Sequence, residues 1–94
     1  MEQLYKSISL IGEKYAAEKI VLFGSRARGD NHDRSDIDLA VYGMPEENRA
    51  SFWWEIEELP TLLKFDIVHI NSNTDNALVE NIERDGVSIY EKDR

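Results

Sequence analysis

The chain has 94 residues, 41% hydrophobic and 32% charged, which fits one folded domain with a single modest core and not a disordered segment. With 19 acidic against 11 basic residues the formal net charge is −8, a surface that repels nucleic acid and better matches a basic protein partner. There is no cysteine, no apolar run near the ~20 residues of a membrane span, and no basic-then-apolar leader at the N-terminus. These exclude a disulfide framework, a thiolate metal site and membrane insertion, and the expected location is cytoplasmic.

Leu4, Ile8, Ile11 and Tyr15 recur on one face of an amphipathic helix over residues 2–17. Lys19-Ile20-Val21-Leu22-Phe23 then reads as a short strand, ended by Gly24, with Ser25 as the expected N-cap of a helical turn through Arg26-Ala27-Arg28. Residues 29–35 are polar and loop-like. From Asp36 to Tyr42 the chain alternates, Ile37, Leu39 and Val41 opposite Asp36, Asp38, Ala40 and Tyr42, as in a strand buried on one side. Gly43-Met44-Pro45 turns the chain into a helix whose apolar stripe is Phe52, Trp53, Ile56 and Leu59, stopped by Pro60. Residues 63–70 form a third strand, with Phe65, Ile67 and His69 opposite Asp66, Val68 and Ile70. Asn73 or Thr74 is expected to cap a helix through Leu78, Val79 and Ile82 that closes near Gly86, before a last, edge strand from Val87 to Tyr90. The expected fold is α/β (α+β): one domain over residues 1–94, a mixed sheet of three or four short strands with flanking helices.

Two residues apart on a strand, Asp36 and Asp38 direct carboxylates from one face about 6.6 Å apart. Unpaired, such charges repel; paired hard oxygens suit Mg²⁺, which completes its shell with water and phosphate. Asp66, a charge in the middle of an apolar strand, joins them if the third strand lies beside the second. Three acids around one or two metals is an arrangement for phosphoryl or nucleotidyl transfer. Gly24 allows a polyphosphate close to the backbone, Ser25 can donate a hydroxyl, and Arg28, with Arg26 behind it, can add charge-assisted contacts. The Gly-Lys-Ser/Thr ending of a Walker A loop is missing, and residues 30–38 lack the Gly and Glu of an EF-hand.

Gly24-Ser25, ten residues (26–35) and then Asp36-Ile37-Asp38 resemble the signature of the polymerase-β-type nucleotidyltransferase superfamily. The fuller strings Phe-Gly-Ser-Arg-Ala-Arg-Gly at 23–29 and Ser-Asp-Ile-Asp-Leu at 35–39 resemble those of its small stand-alone members, the minimal nucleotidyltransferases (MNT). Phe65-Asp66-Ile67-Val68 matches the family's third carboxylate, and residues 82–90 are similar to its C-terminal helix and strand. The resemblance implies that Asp36, Asp38 and Asp66 are catalytic and hold Mg²⁺, and that Gly24, Ser25 and Arg28 bind the nucleotide, ATP as AMP donor. It also implies a partner: such proteins are commonly encoded beside a HEPN-domain ribonuclease toxin, which the nucleotidyltransferase neutralises by transferring AMP to a tyrosine. A chain of this size is nearly used up in building the catalytic sheet, so the acceptor surface is expected from a second protein or another copy. Two other readings stand beside this one, a non-catalytic antitoxin that masks its toxin and an enzyme that modifies an antibiotic-like small molecule.

Plainer roles are expected for other residues. His69 packs at the core edge and His32 is solvated. At least one of Trp53 and Trp54 packs in the core, Glu55 to Glu58 are a solvated helix face, and Arg28-Gly29-Asp30 is a chance tripeptide.

Overall fold

The computed structural model describes residues 1–93. The first amphipathic stretch forms α1 (Glu2–Lys14), three residues shorter than its apolar periodicity, because the chain turns at Ala16, held at φ 63° while its N–H and that of Ala17 reach back to Glu13 and Gly12. β1 (Lys19–Phe23) follows, then a single helical turn α2 (Ser25–Arg28), closed by Gly29 in the left-handed region. After the polar loop come β2 (Ile37–Tyr42), a 3-10 turn at Glu46–Asn48, α3 (Arg49–Glu57), β3 (Phe65–Ile70), α4 (Asn76–Asp85) and β4 (Val87–Glu91).

The four strands form one mixed sheet in the order β3-β2-β1-β4. β1 runs antiparallel to both β2 and β4, while β2 and β3 are parallel. The expected mixed α+β sheet with flanking helices is therefore what forms, with β4 at one edge.

Strand alternation divides the core between two faces. Ile20, Leu22, Ile37, Leu39 and Val41 point to one side and are covered by Ile8 of α1 and by Phe52 and Ile56 of α3. Val21 and Ala40 point to the other and meet Ile82 of α4, with Leu78, Ile70 and Tyr42 around them. The second strand is thus covered on both faces: Ala40 is as fully buried as Leu39, and α4 has made an apolar seat of the side expected to face solvent.

Three expectations about side chains are corrected. Trp53 and Trp54 are both exposed, at 49% and 62%. Phe52, Ile56 and Leu59 follow the i, i+4, i+7 spacing that faces the sheet, and Trp53 stands about 100° round the helix from them. Glu55 is no solvated bystander: its Oε2 accepts hydrogen bonds from Lys14 Nζ at 2.8 Å and from the Tyr15 hydroxyl, joining α3 to the end of α1. Asn73 and Thr74 do not cap α4, which starts after Asp75 without a side-chain cap; Thr74 Oγ1 accepts instead from the Asn71 N–H in the preceding turn.

Candidate active site

The site lies where the C-terminal end of β1 meets the N-terminal ends of β2 and β3. Antiparallel pairing sets Phe23 beside Asp38, and parallel pairing sets Asp38 beside Asp66. Cross-strand partners share a face, so both carboxylates stand on the α4 side of the sheet, on adjacent strands. Asp36 precedes the ladder, which begins at Ile37, and is exposed in the loop; it is not a strand residue as its alternation with Asp38 implied. Ile37 starts the ladder because its N–H donates to the Lys64 carbonyl at 2.9 Å.

Gly24 makes the turn that brings the first half of the motif to this rim. Its φ of 74° and ψ of −157° belong to a region essentially reserved for glycine. A Cβ there would also run into the Asp38 carboxylate. The bare backbone of residue 24 and the Asp38 side chain are thus in contact only because nothing stands between them. Ser25 is the first residue of α2, not its cap; the Gly24 carbonyl takes the Ala27 and Arg28 N–H groups, each at 3.1 Å. The first amides of the turn, those of Ser25 and Arg26, point out of it without intrahelical partners.

Electrostatics tie the pieces together. Burial pushes the Asp38 carboxyl above the ordinary aspartate range, the negative charges of Asp66 and Asp36 push it further, and Arg28 pulls it back. Arg28 is exposed and pairs with Asp30 at 3.1 Å, so it faces the site from α2 as a charge, without bonding Asp38. Arg26 has a different task. Its Nε donates to the Ser35 carbonyl at 3.0 Å and its Nη2 to the Asp33 carbonyl at 3.3 Å, tethering the loop immediately before Asp36. That positioning role was not legible in the sequence, where an arginine beside the motif carries no sign of backbone partners seven and nine residues on.

The chemistry of the donor set fits a hard divalent cation. The carboxylates of Asp66 on β3 and Asp36 in the loop before β2 put like charge on Asp38, which a cation would relieve. Among the described residues no three His, Cys, Asp or Glu side chains come close enough to hold a metal ion as they stand. The structure thus shows carboxylate neighbours without a closed cage, and a Mg²⁺ ion that takes most of its ligands from water and phosphate needs no such cage. A surface cleft lined by Glu18, Lys19, Tyr42, Glu83, Glu91, Lys92 and Asp93 lies at the far end of β1 and β2 and contains none of these residues. The carboxylates, in contrast, sit on an open rim.

The sequence profile of the family described as "Polymerase beta, Nucleotidyltransferase" matches residues 6–94. The chain belongs to this nucleotidyltransferase family. It is 35% identical over 89 residues to a Methanocaldococcus jannaschii protein named as a candidate protein adenylyltransferase, a match covering 89% of this chain and 88% of that one. Solved structures share its fold. A protein named as a candidate minimal nucleotidyltransferase superposes with a TM-score of 0.70 at 26% identity, covering 88% of this chain and 86% of that one. A toxin–antitoxin structure with AMP-PNP gives a TM-score of 0.75 at 22% identity, over 94% of this chain and 73% of that one. A tri-AMPylated HEPN toxin of Shewanella oneidensis in complex with its MNT antitoxin gives 0.69 at 20% identity, over 98% and 74%. Among the described residues of this nucleotidyltransferase, no helix is long and apolar enough to cross a membrane.

Proposed function

We propose that this nucleotidyltransferase moves AMP from ATP to a hydroxyl group of a partner protein, as the antitoxin that adenylylates a HEPN ribonuclease toxin in the cytoplasm. The observation that carries the reading is the register of Asp38 with Asp66 beside the Gly24 turn. It sets two carboxylates on one face, next to a stretch of backbone bare enough for phosphates. The names of the relatives support the choice of AMP and of a protein acceptor: one is a candidate protein adenylyltransferase, one was solved with AMP-PNP, and one stands in complex with an AMPylated HEPN toxin.

Asp36, Asp38 and Asp66 would hold Mg²⁺, which when bound supplies positive charge to the triphosphate and its departing pyrophosphate. The remaining steps belong to the chain itself. Gly24 lets the phosphates reach the backbone, Ser25 donates to their β/γ end, and Arg28 adds positive charge that an exposed arginine contributes as attraction more than as geometry. Asp66, more exposed than Asp38, orients the acceptor hydroxyl and takes its proton as the oxygen attacks the α-phosphorus. The O–P bond forms as the bond to pyrophosphate breaks, and the electron pair leaves with pyrophosphate.

Label transfer from ATP marked at its α-phosphate tests this. The wild-type protein and an Asp36→Asn/Asp38→Asn variant are each mixed with Mg²⁺ and a HEPN-domain partner protein. The expected result is label on the partner with the wild type alone. Tight binding between the two proteins with no label would favour the masking antitoxin, and label on an aminoglycoside instead would favour a small-molecule enzyme.

A further inference from the structure

The sheet has two outer strands, and they are finished differently. β4 carries a register shift against β1 between Ile20 and Val21, and it ends on Glu91, which is paired with Lys19. A bulge and charged side chains are the usual means of keeping an edge from pairing with other chains. β3 has no bulge, and its one charged side chain, Asp66, stands on the face of the candidate site. Its six residues, Phe65 to Ile70, include no proline, glycine or lysine, its pairing with β2 is unbroken, and five of the six side chains are half-buried and not charged out to solvent.

The phase of its free groups follows from one hydrogen bond. Ile37 N–H donates to the Lys64 carbonyl. In a parallel ladder the groups facing the neighbour alternate along the strand, so Lys64, Asp66, Val68 and Ile70 turn their peptide groups toward β2. Phe65, Ile67 and His69 therefore direct their N–H and C=O groups outward, three donors and three acceptors along the open edge. An antiparallel segment hydrogen-bonding to these three sets the residue facing Asp66 at a non-hydrogen-bonded position. There Cα atoms approach to about 4.5 Å and side chains lie on the same face.

We propose that the outer edge of β3 receives the protein acceptor as an added strand, which sets its hydroxyl-bearing residue opposite Asp66. This rests on the adenylyl-transfer reading and adds how the acceptor is held. Main-chain pairing gives affinity with little demand on sequence, and the alternation of the added strand sends the hydroxyl to the face that carries Asp66 and Asp38. The hydroxyl oxygen then bonds to the α-phosphorus as pyrophosphate departs, its proton passing to the neighbouring carboxylate. The occupant is a partner's extended segment and not the β3 of a second copy. A symmetric pairing of two copies would bring together two chains of net charge −8 and two exposed Asp66 carboxylates.

Amide hydrogen exchange on the wild-type protein tests the edge directly. With a HEPN-domain partner and a non-hydrolysable ATP analogue, the Phe65, Ile67 and His69 amides are expected to slow by about tenfold or more, while those of Asp66, Val68 and Ile70, already in the ladder, change little. If the three amides stay fast in a complex that transfers AMP, strand addition is overturned and adenylyl transfer stands. If they slow instead in the isolated chain as its concentration rises, the occupant is a second copy and the proposal fails. Ile67→Pro removes the middle outward donor without touching the β2 ladder. A folded variant should bind ATP as the wild type does yet label the partner at least about tenfold less, and equal labelling would overturn the proposal. A wild type that labels no partner sinks the transfer reading, and with it the hydroxyl placed at Asp66.

Discussion

The Asp38 carboxylate fills the space that a side chain at residue 24 would need. The Gly24 turn and the start of β2 are therefore one packed unit, and neither can be altered alone. Gly24→Ala meets two obstacles: a backbone conformation of φ 74°, ψ −157° that costs roughly 1–3 kcal/mol for a residue with a Cβ, and displacement of Asp38 itself. The variant should lose about 4–8 °C of Tm per kcal/mol for a domain of this size. Transfer should fall by about 10²-fold, because displacing a reactive carboxylate by an ångström is enough to do so. Calorimetry and label transfer on the same sample check both, and a variant with normal Tm and normal transfer would show that the turn is not strained.

Asp38→Asn separates function from stability. Burial first, then Asp66 and Asp36, raise the Asp38 carboxyl above its unfolded value. A raised acid favours the folded state while it is protonated, below about pH 4, and that contribution is lost as pH rises through the folded value. At neutral pH the ionised Asp38 is thus a burden on the fold, which asparagine removes. The expected outcome is a variant without transfer activity whose Tm exceeds the wild type at pH 7, the two curves converging near pH 4. A lower Tm at pH 7 would mean that the carboxylate is satisfied by contacts the amide cannot make.

The pairing of Asp66 with Asp38 was legible only in part: alternation along 63–70 put a charge among apolar residues, which a plain surface position also explains, and it is the parallel register of β3 with β2 that makes the two neighbours. The turn at Gly24 was legible from the strand that it ends. What the sequence hid depends on contacts between elements. Ser25 looked like a cap, yet Gly24 takes that place because the approach of Asp38 forbids a side chain there. Trp53 looked apolar enough for the core, yet α3 turns only the spacing of Phe52, Ile56 and Leu59 toward the sheet. Arg26 and Glu55 are polar residues whose partners lie in other segments, Ser35 and Asp33 for one, Lys14 and Tyr15 for the other. Periodicity carries no information about such partners.

Glu55 gives a prediction of its own. Hydrogen bonds from Lys14 and then Tyr15 hold its carboxyl below the ordinary glutamate range, so its contribution to stability is present above that range and is lost as pH falls through the folded value. Glu55→Gln should lower Tm slightly at pH 7. The deficit should shrink toward zero in about 1 M salt, where exposed charges are screened within a few ångströms. A deficit indifferent to salt would assign the effect to the Tyr15 hydrogen bond alone.

His69 supplies a second test on the acid side, at higher pH than Glu55. It sits on the α3 side of β3, edge-on to Phe52 with ring centroids 6.5 Å apart, and its Nδ1 and the Arg49 Nε are buried without hydrogen-bond partners among the described residues. Burial, and then the Arg49 charge, hold its imidazole below the usual histidine value. A depressed base binds its proton in the unfolded chain first. Stability should therefore be full above about pH 6.5 and fall as pH drops from there through the folded value. His69→Gln keeps a polar group at the site but removes the titration. As pH falls below about 6.5 the wild-type Tm should decline more steeply than that of the variant. Parallel declines would assign the acid sensitivity to another group and leave His69 as packing for Phe52 alone.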